Sequence, residues 1–118
     1  MRILGLDPGT ATTGYGIIDA AEDGRLTAVS FGAITTPADA AMPQRLQTIQ
    51  RELQQLLDDY QPDTAGIEEV FFGRNITTAI TVGQARGVLL LTLANAGLPI
   101  GEYSPPKIKE AVTGYGKA

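Results

Sequence analysis

Two short apolar runs in this 118-residue sequence end in acid. Ile3-Leu4-Gly5-Leu6 runs into Asp7, and Thr64-Ala65-Gly66-Ile67 runs into Glu68-Glu69. Each reads as a buried strand that delivers a carboxylate to its C-terminal end. Side chains alternate along a strand, so only one of Glu68 and Glu69 can share a face with Asp7. Two ionised carboxylates about 4 to 5 Å apart repel by roughly 3 to 4 kcal/mol at an effective dielectric of 20. Such a pair either takes up a proton or holds a cation. The chain has no Cys and no His, which removes disulfides, thiolate or imidazole zinc sites, thiol nucleophiles and a Ser-His-Asp triad. Among hard cations suited to oxygen donors, Mg²⁺ is the natural choice, with Mn²⁺ as a substitute. Ions of this kind hydrolyse phosphodiesters by activating water and stabilising the leaving oxygen. Two acids are few for that task, so further carboxylates are expected from another element, with Glu102 and Glu110 as local candidates. The competing reading of Asp7 is an acid that only caps the following turn.

The elements that must position these acids follow from the pattern. Pro8-Gly9 predicts a tight turn, with Pro fixing φ at the first corner and Gly supplying a positive φ at the next. The chain then returns through Thr12, Thr13, Tyr15, Ile17 and Ile18 as a second strand, and Leu26 to Thr35 forms a third. Three sequential strands with short turns predict an antiparallel meander, followed by a linker from Thr36 to Ala41. From Pro43, the spacing of Leu46, Ile49, Leu53, Leu56, Leu57 and Tyr60 predicts an amphipathic surface helix whose intervening glutamines are solvated. Strand, helix and strand in that order imply a right-handed crossover to a parallel fourth strand. If that strand lies beside the first, the C-terminal ends of the two coincide. Gly73-Arg74-Asn75 leads into a long helix, roughly Ile76 to Ala96, apolar nearly all round over Val88 to Leu93. Its stripe of Ile76, Ile80, Gly83, Gly87, Leu90 and Ala94 fits two situations: a tight crossing inside one subunit, or a homodimer interface. Gly97 closes this helix, Leu98 to Tyr103 gives a fifth strand, and a short helix carrying Lys107, Lys109 and Glu110 follows.

Length predicts one domain over residues 1–118. No apolar stretch approaches the roughly 20 residues of a membrane span and no signal-peptide pattern opens the chain, so a cytoplasmic protein without membrane contact is expected. The net charge of −4 is uneven: residues 1–63 carry −5 and residues 64–118 carry +1. Any basic face for nucleic acid therefore belongs to the second half.

The blocks Gly5-Leu6-Asp7-Pro8-Gly9-Thr10, Thr13-Gly14-Tyr15-Gly16, Ile67-Glu68-Glu69-Val70-Phe71 with Asn75, and Gly83-Gln84-Ala85-Arg86-Gly87, in that order, resemble RuvC-type Holliday junction resolvases over essentially the whole chain. The resemblance implies a ribonuclease H-like α/β fold. Its five-stranded mixed sheet has strands 1, 2 and 3 antiparallel, strands 1, 4 and 5 parallel, and helices on its flanks. It also implies a homodimer through the 76–96 helix, and Mg²⁺-dependent paired nicking of four-way junction DNA in recombination and repair, beside a branch-migration helicase complex.

Position by position, the resemblance makes Asp7 and Glu68 the first two metal-binding catalytic acids and leaves Glu69 without that role. Phe71 matches an aromatic that stacks on a junction base, a contact worth about 1 to 3 kcal/mol; the alternative is a core Phe71 with Phe72 exposed. Lys109 matches a DNA-contacting basic residue, and Lys107, Arg74 and Arg86 are further candidates. Family members continue into a helix with two more catalytic acids. A chain ending at Ala118 is therefore expected to keep the fold and a weak metal site with little cleavage. RuvX (YqgF)-type nucleases share a similar opening, and Asp7-Pro8-Gly9-Thr10 also fits the phosphate-embracing hairpin of actin- and sugar-kinase-like ATP-binding domains. A non-catalytic dimeric DNA-binding module is the remaining reading.

Overall fold

Alternation along the first strand decides which way the sheet faces. In β1 (Arg2–Asp7), Leu4 and Leu6 are fully buried, while Ile3, Gly5 and Asp7 fall on the opposite face. The computed structural model describes residues 1–68 and 76–103. After β1 come β2 (Thr12–Ala20), β3 (Leu26–Thr35), α1 (Met42–Tyr60), β4 (Thr64–Glu68), α2 (Ile76–Asn95) and β5 (Ile100–Tyr103). The sheet order is β3-β2-β1-β4-β5, with β1, β2 and β3 antiparallel and β1, β4 and β5 parallel. This is the predicted topology.

The core forms on the Leu4 face. Leu4, Leu6, Ile17, Ala65 and Ile67 from the sheet pack with Ile49, Leu53 and Leu57 of α1 and with Ala85, Leu89 and Leu93 of α2. α1 begins with Pro43 in its first turn, where the missing N–H costs no helical hydrogen bond. It ends at Gln61, held in the left-handed region at φ 50° with its N–H on the Leu57 carbonyl. The Gln61 amide also donates to the carbonyls of Leu57 and Asp58, which offsets the cost of that conformation for a residue with a Cβ. On the exposed side, Gln54 and Gln55 reach Asp58 and Asp59 one turn on, the solvated face that was expected.

Two expectations need correction at α2. Its buried residues are Ala85, Leu89, Thr92 and Leu93, whereas Ile76 and Ile80 are 80% and 56% exposed. Among the described residues, a Cβ added at Gly83 or Gly87 would meet nothing within 4 Å, so the glycine stripe serves no tight crossing between the described elements. The helix also has the length and composition to cross a membrane, with a mean hydropathy of 1.4 over its most apolar window, contrary to the expectation that no stretch comes near. The cause is a helix that is apolar on two sides: one enters the sheet core and the other lies open among the described residues.

Candidate metal centre

β1 and β4 run parallel with Leu6 opposite Ile67. The next residue on each strand, Asp7 and Glu68, therefore stands side by side at the C-terminal ends, on strands about 4.8 Å apart. Alternation puts both on the face turned away from Leu6 and Ile67, and hence away from the helical core. Glu68 is thus the acid of its pair in phase with Asp7; Glu69 lies outside the described residues. Both acids are half-buried, and Glu68 has one carboxylate oxygen withdrawn from solvent and is engaged in an interaction.

One rung behind them, Gly16, Gly5, Gly66 and Gly101 stand in register across β2, β1, β4 and β5. Beside Asp7 itself stands Gly14, where an added Cβ would lie 3.7 Å from the Asp7 Cβ. The two acids thus rise from a floor of bare backbone, and access to them is set by whatever packs on this face.

Two adjacent carboxylates supply hard oxygen donors of the kind Mg²⁺ or Mn²⁺ takes while keeping several waters. Asp7 and Glu68 therefore fit such an ion as part of a site. Among the described residues no third His, Cys, Asp or Glu joins them. Glu102 was one candidate, but β5 pairs it with Ile67, and it is Tyr103 that stands opposite Glu68. The strand register thus pairs Glu102 with neither acid. Glu110 lies outside the described residues.

The turn that follows Asp7 differs from its prediction. Gly9 does not adopt positive φ, which among the described glycines occurs only at Gly24 and Gly97. Glycine is required for space instead, because a Cβ at position 9 would collide with the Thr12 carbonyl oxygen. The turn is held from three directions. Thr13 Oγ1 donates to the Gly9 carbonyl at 2.7 Å, Thr36 Oγ1 donates to the Thr10 carbonyl at 2.7 Å, and the Thr36 N–H donates to the Ala11 carbonyl at 3.0 Å. Arg45, from the first turns of α1, donates through Nε to Thr36 Oγ1 at 2.9 Å. Sequence reasoning missed Thr36 and Arg45, since a threonine in a linker and an arginine on a helix carry no spacing signal.

Of the predicted DNA-binding residues, Arg86 is described. It sits on α2 between buried Ala85 and exposed Gly87, half-buried, with Nε withdrawn from solvent and the residue engaged in an interaction. Phe71, Arg74, Lys107 and Lys109 lie outside the described residues.

The family model described as crossover junction endodeoxyribonuclease RuvC matches residues 3–118. A crossover junction endodeoxyribonuclease RuvC from Syntrophomonas wolfei is 56% identical over all 118 residues, which cover 68% of its length. One from Chloroflexus aggregans is 53% identical, again over the whole chain and 71% of the relative. Among solved structures, T. thermophilus RuvC in complex with a Holliday junction substrate superposes with a TM-score of 0.84 at 25% identity, covering 93% of this chain and 70% of that one. These matches favour neither the RuvX-type nor the actin-like reading.

Proposed function

Because the chain belongs to the crossover junction endodeoxyribonuclease RuvC family, we propose that it resolves four-way DNA junctions by paired, metal-dependent phosphodiester hydrolysis in recombination and repair. The observation that carries this reading is the side-by-side placement of Asp7 and Glu68 at the ends of two parallel strands, on the face away from the core. Asp7 and Glu68 are the catalytic acids of the proposal, holding Mg²⁺ or, in its place, Mn²⁺. The ion supplies Lewis-acid activation of water and neutralises charge on the leaving oxygen. Asp7 and Glu68 would supply two of the oxygen donors that such an ion takes. Phe71 stacks on a base at the junction centre, and Lys107, Lys109, Arg74 and Arg86 meet phosphates.

The second active site needed for paired incision comes from a second copy. The open stripe of α2 around Ile76, Ile80, Gly83 and Gly87 supports docking of that copy, since removing so much apolar surface from water favours association and the glycines permit close backbone approach. In the cytoplasm, a branch-migration helicase complex completes the reaction setting.

The test is binding to a labelled four-way junction and to linear duplex of equal length, at one salt concentration because phosphate contacts make affinity salt-dependent. Ca²⁺ replaces Mg²⁺ to suppress cutting. The proposal expects clear preference for the junction, and equal affinity for both by folded protein would contradict it.

A further inference from the structure

Asp7 is the last residue of β1 paired with β2, and the four residues after it leave the ladder. Three successive carbonyls of that turn, at Gly9, Thr10 and Ala11, are each taken by a threonine, and Thr36 holds two of them. The Thr36 hydroxyl has a single hydrogen, which it spends on the Thr10 carbonyl. Its lone pair therefore receives the Arg45 Nε–H. The result is a directed chain, guanidinium to hydroxyl to carbonyl, in which a cation polarises the hydroxyl that grips the turn. Thr36 and Thr10 are 6% and 8% exposed, so water competes little for these bonds. The chain joins three separate segments: the β1–β2 turn, the residue after β3, and α1.

We propose that Thr36 and Arg45 are positioning residues that fix the turn behind Asp7 and thereby aim its carboxylate at the metal shared with Glu68. Neither residue touches the metal. With the Thr36 hydroxyl gone, the Thr10 carbonyl loses its partner and Arg45 loses its anchor. The turn after Asp7 then keeps only its ties at the Gly9 and Ala11 carbonyls and is held less firmly, so the acid no longer presents one fixed geometry. This inference rests on the reading of Asp7 as a metal ligand.

The test uses the complete protein with Thr36→Val, Thr36→Ser, Arg45→Ala and Asp7→Asn. Two quantities are read: Mn²⁺ affinity by calorimetry without DNA, and junction affinity in Ca²⁺. Thr36→Val and Arg45→Ala should each weaken Mn²⁺ binding by about tenfold, the low end for groups that support metal ligands from behind. Their double variant should be little worse than either alone, because both break one chain. Thr36→Ser keeps the hydroxyl and should restore wild-type affinity, and junction binding in Ca²⁺ should stay within about twofold of wild type throughout, as no phosphate contact is removed. Wild-type Mn²⁺ affinity in Thr36→Val would overturn the proposal. So would a Thr36→Ser variant as weak as Thr36→Val, which would mean packing rather than hydrogen bonding. Loss of junction binding in Arg45→Ala would overturn it by making Arg45 a DNA contact. If Asp7→Asn itself leaves Mn²⁺ affinity unchanged, the failure lies with the metal-site reading and not with the chain behind it.

Discussion

Arg2 fastens the end of the sheet opposite the acids. Its Nε and Nη2 reach the Asp19 carboxylate at 2.8 and 3.0 Å, its Nη1 reaches the Tyr60 carbonyl at 2.9 Å, and its backbone N–H reaches Asp63 at 2.7 Å. β1 is thereby pinned to β2 on one side and to the connection between α1 and β4 on the other. The hydrogen bond from Arg2 holds the Asp19 carboxyl below the usual carboxylate range, outweighing the opposing effect of burial. A lowered folded-state pKa contributes stability above the unfolded value of about 3.9 and loses it as pH falls through that range. Asp19→Asn should therefore unfold at a lower temperature than wild type at pH 7, with the gap narrowing as pH falls below the unfolded value and through the lowered folded one; a gap independent of pH would show that the ion pair is not its source. Asp7 and Glu68 were legible as single letters because an apolar run that stops abruptly at an acid marks a strand end carrying a carboxylate. Gly9 was read for the wrong property, since the closeness of the Thr12 carbonyl is visible only once the turn is built. Thr36 and Arg45 act through contacts between segments that sequence order keeps apart.

At the scale of elements, the helical and strand periodicities were enough to locate the strands and the buried face of α1, whereas the placing of β4 beside β1 was implied by the resemblance. α2 was harder, because a helix that is apolar nearly all round has no single stripe to mark its inner face. The structure assigns Ala85, Leu89, Thr92 and Leu93 to the inside, with Thr92 satisfied by the Val88 carbonyl at 2.8 Å. Ile76, Ile80 and Leu91 remain exposed, and the groove of about 420 Å³ between α1 and α2 is lined in part by Leu91, Val88 and Leu46. If the outer stripe is where a second copy docks, Ile80→Asp places a charge in an apolar interface and should convert the dimer to a monomer by light scattering. Its unfolding temperature measured on the monomer should stay near that of wild type, because Ile80 is more than half exposed among the described residues. A dimer undisturbed by Ile80→Asp would remove α2 from the interface.

On the scale of the whole molecule, two features of the sheet converge on one place. The parallel register brings Asp7 and Glu68 together, and the glycine rung behind them keeps that part of the sheet free of side chains. The cluster that the sheet forms with α1 and α2 lies on the other face, so among the described residues the acids are not part of that packing. The order of the blocks along the chain made this architecture readable in advance, whereas the further carboxylates were not, because the acid of β5, Glu102, is in register with Ile67 and not with Glu68. The most direct measurement is Mg²⁺-dependent incision of a labelled four-way junction by the complete protein and its Asp7→Asn and Glu68→Gln variants, with junction binding in Ca²⁺ checked in parallel. Both variants should bind as wild type does and lose cleavage by about three orders of magnitude or more, since several kcal/mol of transition-state charge stabilisation are removed. Wild-type incision by either variant would contradict the assignment of these two acids to the metal.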